Sequence, residues 1–261
     1  MDVTNLLGDV RRVVAEVAQF IRTERAQFTV HSAQVKGLND LVSYVDKTSE
    51  ERLVAGLLNV LPESGFLAEE GTGAGLKVYN WIIDPLDGTT NFVHGIPCYA
   101  ISVALEHQGE ILLGVVHEVA RDECFYAVRG QGAFLNGQPI HVSATKRLQD
   151  SLVATGFPVN NFDRMQGVLK ALEYFMRHTH GVRRIGAAAA DLCYLSCGRV
   201  DAFYEYNLKP WDVAAGALIA EEAGAIVTDF KGGNDWLHGR TILAANKALY
   251  APFAAVINDS F

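Results

Sequence analysis

Two aspartates, Asp84 and Asp87, stand three residues apart in the stretch WIIDPLDGTTNF, separated by Pro85 and Leu86 and followed by Gly88 and Thr89. Asp, Pro and Gly all favour turns, and two exposed aspartates in a turn cost little. Metal ligation is the other chemistry open to them. Leu86 can offer only its carbonyl, and carboxylates, a carbonyl and waters form an all-oxygen set that selects a hard cation such as Mg²⁺. The turn holds no His or Cys, which argues against zinc. If a helix begins at Gly88–Thr89, its free N–H groups can hold a phosphate oxygen.

Other acids fall at the ends of expected elements. Glu69 and Glu70 follow a short apolar run and precede glycines. Asp212 follows Pro210 and Trp211 at a helix start, where the macrodipole alone favours an acid. Lys36, Asp40 and Asp46 lie in the polar segment KGLNDLVSYVD, read as a loop or irregular hairpin. Each of these is by itself compatible with a solvated loop or helix end. The histidines, among them His94, His107 and His117, are isolated, and no P-loop, nucleophile elbow or Ser/His/Asp arrangement is present.

The elements that must position these residues are legible from periodicity. Val10, Val13, Val14, Val17 and Ile21 recur at helical spacing. A second helix is expected from Thr48 to about Leu61, where Pro62 and Gly65 stop it. Strands are expected at 66–68, 79–83, 99–106, 111–119 and 123–128, then at 182–185, 201–205, 225–228 and 241–245. Asn136-Gly137 is a tight-turn dipeptide. Helices are expected at 165–178, 187–197 and 211–223, with one more at the C-terminus. Antiparallel strand signals fill the first half and alternating strand and helix the second. That order predicts two layered α/β subdomains, approximately 1–145 and 146–261 of a single domain, with chemistry at their interface.

The 261 residues are 49% hydrophobic and 20% charged, enough for a sizeable core. No apolar run reaches the roughly 18 residues of a membrane span, and the N-terminus does not read as a signal peptide. The formal charge of −8 with scattered basic residues argues against nucleic acid as a partner. An acidic protein that handles phosphate needs a local cation. Four cysteines without a CxxC read as small core residues in a reducing compartment, so the cytoplasm is expected.

Two signatures carry a resemblance. WIIDPLDGTTNFVHGIP looks like a D-P-[ILV]-D-G-T-x-N-[FY] motif, and PWDVAAGALIAEEAG looks like a W-D-x-A-A-G motif, with weaker matches at KGLNDLVSYVD, AEEG and RRIGAAAADLC. On these residues the chain resembles, over nearly its whole length, the inositol monophosphatase family. These are Mg²⁺-dependent, often lithium-sensitive phosphomonoesterases related to fructose-1,6-bisphosphatases.

The resemblance implies a layered α-β-α-β-α sugar-phosphatase fold, α/β or α+β in class, with the active site between its subdomains. It implies that Glu69, Asp84, the Leu86 carbonyl, Asp87 and Asp212 bind two or three Mg²⁺ ions, with Glu70 behind them. Thr89, paired with Asp46, would orient the attacking water. Gly88 and Thr89 would give N–H groups to phosphate. Gly186, Ala187, Ala188, Glu205 and Asp212 would meet the rest of the substrate, and Lys36 and Asp40 would sit on a mobile loop that closes over it. Family members often carry Ser or Thr where this chain has Ala187, which puts substrate identity in question. Arg183 and Arg184 read equally as surface salt-bridge residues or substrate contacts, and Asp191 as a substrate-orienting acid or one bonded within its helix. The implied reaction is hydrolysis of a small polyol or sugar phosphate, inositol monophosphate first, by in-line attack of a metal-activated water. Fructose 1,6-bisphosphate, histidinol phosphate and 3′-phosphoadenosine 5′-phosphate are alternatives. A regulatory module that binds protein or RNA is the non-enzymatic one. A homodimer is also implied.

Overall fold

The computed structural model describes residues 3–28, 34–37, 40–73 and 75–261, with 34–37 and 40–42 described as backbone only. In chain order the elements are α1 (Thr4–Gln27), β1 (Gln34–Gly37), β2 (Asp40–Val42), α2 (Tyr44–Val60), β3 (Gly65–Ala68), β4 (Tyr79–Asp87), α3 (Thr89–His94), β5 (Ala100–His107), β6 (Glu110–Glu118), β7 (Glu123–Val128), β8 (Ala133–Leu135) and β9 (Gln138–Ile140). The second half supplies β10 (Leu152–Thr155), α4 (Met165–His178), β11 (Gly181–Arg183), α5 (Ala188–Ser196), β12 (Ala202–Tyr206), α6 (Pro210–Glu222), β13 (Ala225–Thr228), β14 (Thr241–Asn246) and α7 (Tyr250–Ser260).

Two sheets form the frame. The first runs β3-β4-β5-β6-β7-β8-β9, with β3 and β4 parallel and the rest antiparallel. The second runs β11-β10-β12-β14-β13, with β10 parallel to both neighbours and β14 antiparallel to its own. Side chains alternate across a strand, and the alternation sorts the cores. In β4, Trp81 and Ile83 pack against α1 and α2, while Ile82 points the other way, toward α5 and α6. In the second sheet Ala154, Phe203, Ile242 and Ala244 face α5 and α6, whereas Val153, Tyr204, Leu243 and Ala245 face Phe175 of α4 and Phe253 of α7. The layers are therefore α1/α2, sheet, α5/α6, sheet, α4/α7. This is the α-β-α-β-α order expected from the resemblance.

The central helices sit between two sheets and are apolar all round, as a helix with no wet face must be. Every residue of α6 from Val213 to Ala220 is buried, and every residue of α5. Small residues let them approach. A Cβ on Gly216 would lie 2.8 Å from the Cβ of Leu192 on α5.

Two expectations are corrected, and a strand was missed. The second helix starts at Tyr44, not Thr48: the Ser43 hydroxyl accepts the Val45 N–H at 3.1 Å, and Asp46 accepts the Ser43 N–H at 2.8 Å, a capping box. Asp46 thus belongs to a helix and not to the irregular segment. The run Asp84–Asp87 is not a turn. Strand β4 continues through it, and Asp84 pairs with Ser102 while Asp87 pairs with Ala100, so one extra residue bulges from β4. Pro85 sits in the bulge, where a missing N–H is tolerated. Strand β10 was not foreseen; LVAT is too short and too apolar to show a period.

Candidate active site

The acid-bearing segments reach one cleft from separate elements. Glu69 leaves the end of β3, and its N–H bonds the Ile83 carbonyl at 3.2 Å. Asp84 and Asp87 flank the bulge of β4. Asp212 stands in the first turn of α6 and accepts the Lys209 N–H at 2.6 Å. Glu69, Asp87, Gly186, Ala187, Ala188, Glu205 and Asp212 line a cavity of about 400 Å³ between the two sheets. Asp84, Leu86 and Asp46 are buried beside it, 2%, 1% and 2% exposed.

The cluster repels itself. Burial, then the charges of Glu69, Asp87 and Asp212, push the Asp84 carboxyl well above the ordinary carboxylate range. Burial raises Asp87 to about 7 against the opposing N–H of Ala189. Burial and then Asp87 raise Asp212 to about 7, with the N–H and ammonium of Lys209 opposing. Glu205 is raised well above its usual value by burial, Asp212 and Asp87. No three His, Cys, Asp or Glu side chains among the described residues converge on one point as a ready cage. The mutual elevation does not require that, because charge acts over several ångströms of low-dielectric protein. Oxygen donors in excess, with no His or Cys, fit a hard cation.

Around the acids the hydrogen bonds are specific. Asp84 accepts the Leu86 N–H at 2.9 Å, which folds the bulge. The Thr89 hydroxyl lies 2.9 Å from Asp46 Oδ1 and 3.1 Å from the Leu86 carbonyl. It has one proton to give, and the ionised acceptor is the stronger. Asp46 is also held by the Ser43 hydroxyl at 2.5 Å. Burial raises its carboxyl, and the bonds from Ser43 and Thr89 pull it back. Gly88 takes φ +88°, and a Cβ there would meet the Gly186 carbonyl at 3.1 Å, so both halves press together at this point.

Asp87 does a second job that sequence reasoning missed. Ala187 is the N-cap of α5 and has no capping oxygen. The N–H groups of Ala188 and Ala189 instead donate to Asp87 across the cleft, at 3.3 and 2.7 Å. Asn91 makes a parallel link, donating to the carbonyls of Cys98 and Ile185 at 2.8 and 2.9 Å.

The remaining candidates divide. Arg184 lines the cleft and lies over the Phe157 ring at 5.9 Å, while exposed Arg183 bonds its neighbour Val182 and does not line it. Asp191 is buried, neither of its oxygens has a hydrogen-bond partner, and it is not bonded within its helix. Burial and then Glu205 raise it well above the carboxylate range. Glu70 is half-buried behind Glu69 and does not line the cavity. The side chains of Lys36 and Asp40 lie outside the described residues. The wall formed by Phe157, Tyr206, Leu208 and Lys209 was also missed. Its signal was the Gly-Phe-Pro that follows the unforeseen β10.

Carboxylates from β3, β4 and α6 thus crowd where the two sheets of a five-layer α/β fold meet. The sequence profile of the inositol monophosphatase family matches residues 3–260, and the chain belongs to that family. It is 39% identical over 259 residues to the Nus factor SuhB of Pseudomonas aeruginosa, which covers 97% of this chain and 95% of the relative. It is 42% identical over 217 residues to an inositol-1-monophosphatase of Mesorhizobium japonicum, covering 82% of each. The crystal structure of the extragenic suppressor protein suhB from Bartonella henselae superposes with a TM-score of 0.92 at 38% identity over the full length of both chains.

Proposed function

We propose that this chain is a Mg²⁺-dependent phosphomonoesterase acting on a small polyol or sugar phosphate, inositol monophosphate first. The observation that carries the reading is the convergence of Glu69, Asp84, Asp87 and Asp212 from three elements beside an open cleft, where the charges of Glu69, Asp87 and Asp212 add to burial in raising Asp84. Such a set is costly to keep without a cation. Those carboxylates and the Leu86 carbonyl would hold two or three Mg²⁺ ions, a few carboxylates to each ion with waters completing the shells. When bound, the ions supply charge neutralisation for the phosphate and a water of lowered pKa.

The chain's own residues supply the rest. Thr89 donates its proton to Asp46, which leaves its oxygen lone pairs free to accept a hydrogen bond from the attacking water and orient it. Glu70, behind Glu69, supports that side of the site. The N–H groups of Gly88 and Thr89 would bind phosphate oxygens. Gly186, Ala187, Ala188, Glu205 and Asp212 face the leaving alcohol, whose hydroxyls hydrogen-bond acids well. Lys36 and Asp40, on the paired strands β1 and β2, would close on the substrate. The boundary between subdomains falls near 145, between the two sheets.

A panel of phosphate esters, with and without Mg²⁺, tests this. Inositol monophosphate is expected to give the highest kcat/KM, ahead of fructose 1,6-bisphosphate, histidinol phosphate and 3′-phosphoadenosine 5′-phosphate. Asp87→Asn is expected to lose about 100-fold or more in kcat. Turnover that survives in this variant would sink the metal assignment. Li⁺ in the same assay reads lithium sensitivity.

One observation favours a second reading. The Pseudomonas relative is named a Nus factor, so a regulatory role with a protein or RNA partner is the alternative. No turnover on the whole panel, with a partner recovered by pull-down, would favour it. A cytoplasmic homodimer remains part of the proposal, and light scattering at the mass of one chain would contradict it. Among the described residues no helix is long and apolar enough to cross a membrane.

A further inference from the structure

We infer that Glu50, on α2, is a positioning residue for the acid cluster: its buried carboxylate fixes the 69–72 loop and so the direction from which Glu69 reaches the cleft. The inference rests on the cation reading above. Glu50 is 0% exposed. Its Oε2 accepts the Glu70 N–H at 2.8 Å and its Oε1 the Thr72 N–H at 2.7 Å. The other two N–H groups of the segment are also taken, Glu69 by the Ile83 carbonyl at 3.2 Å and Gly71 by the Ala68 carbonyl at 3.3 Å. Two of the four bonds that shape this loop therefore come from one side chain, and both are charge-assisted.

Its place on α2 gives the arrangement a meaning. Asp46 and Glu50 are four residues apart, on one helix face, where like charges repel. Separate donors offset that repulsion: Asp46 holds Thr89 and Ser43, and Glu50 holds Glu70 and Thr72. One helix face thereby ties down two acid-bearing segments, the bulge of β4 through Thr89 and the end of β3 through the loop. A core position on that face would ordinarily take an apolar residue.

The isosteric change Glu50→Gln tests this. A glutamine keeps the shape and one acceptor, but its NH₂ faces an N–H, so one loop bond is lost. Mn²⁺ binding by the full chain is measured by electron paramagnetic resonance of the free ion, beside the melting temperature. Asp201→Asn is the control. Asp201 is a buried carboxylate just before β12 that holds the Ser143 hydroxyl at 2.5 Å and the Leu152 N–H at 2.6 Å. Glu50→Gln is expected to weaken Mn²⁺ binding by about 10-fold or more, the usual cost of losing a group that orients a ligand. The Mg²⁺ concentration for half-maximal phosphatase activity should rise by the same factor. Asp201→Asn should keep wild-type Mn²⁺ affinity at a comparable loss of melting temperature. Glu50→Asp keeps the charge with a shorter reach, and should fall between wild type and Gln. Should Glu50→Gln fail to fold, wild-type affinity in Glu50→Asp overturns the inference. So does unchanged affinity in a folded Glu50→Gln. Wild-type protein that binds no Mn²⁺ overturns the cation reading itself, and Glu50's role with it.

Discussion

At the scale of single residues, the site is a set of acids held in the wrong solvent. The unfolded chain ionises an aspartate near pH 3.9, whereas burial in the fold raises Asp87 and Asp212 to about 7, and Asp84 is raised too. Below the unfolded pKa these groups cost nothing. As pH rises from about 4 to about 7, the folded state holds protons that the unfolded state has already lost, so stability falls, and the loss is complete once pH has passed the folded pKa. A divalent cation that binds the ionised cluster reverses this loss. Added Mg²⁺ should therefore raise the melting temperature more at pH 8 than at pH 5.5. Equal shifts at both values would contradict the electrostatic account. Asp84 and Asp87 were legible from type and spacing as candidate ligands, with a plain turn as the equal alternative, and Glu69 and Asp212 were legible only through the resemblance. Glu50 and the capping role of Asp87 were not, because both depend on N–H groups that reach them from distant segments, Ala188 and Ala189 in one case and Glu70 and Thr72 in the other.

At the scale of elements, positions come from caps and bulges more than from long periodic runs. Helix α2 is fixed at its start by Ser43, and that start sets where Asp46 meets Thr89. Ser43→Ala should cost about 1 kcal/mol, within the roughly 0.5–2 kcal/mol range of lost N-caps, measured by urea unfolding. Activity should fall as well, since Asp46 loses its hydroxyl partner. A variant with wild-type stability would show that the cap does not hold this end. The long strands and helices were readable because their apolar residues repeat at period 2 or 3.6. The bulge was misread as a turn because Asp, Pro and Gly signal both, and only the pairing of Asp84 with Ser102 and Asp87 with Ala100 separates them. The helix start was misplaced for a related reason: Ser43-x-x-Asp46 is a capping box hidden in a segment that looks like loop.

At the scale of the whole molecule, two sheets share a helical layer, and the cleft opens where both reach it. The halves are stitched beside the acids by Asp87 to α5, by Asn91 to Ile185, and by the Ser102 hydroxyl to the Trp211 carbonyl at 3.0 Å. Far from the cleft, Arg129 bonds Glu221 at 3.1 Å, and Glu222 accepts the N–H groups of Gly130 and Gly132 at 2.7 and 2.8 Å. The layer order followed from the resemblance; the strand order of the second sheet did not, because it pairs segments 35 to 49 residues apart and includes the unforeseen β10. The central claim is that this junction is built around divalent cations. The most direct test is an anomalous difference map from crystals soaked in Mn²⁺. The account predicts peaks within coordination distance of Glu69, Asp84, Asp87 and Asp212, and their loss at the Asp87 side in Asp87→Asn crystals. A fully soaked crystal with no peak among these four acids would contradict it.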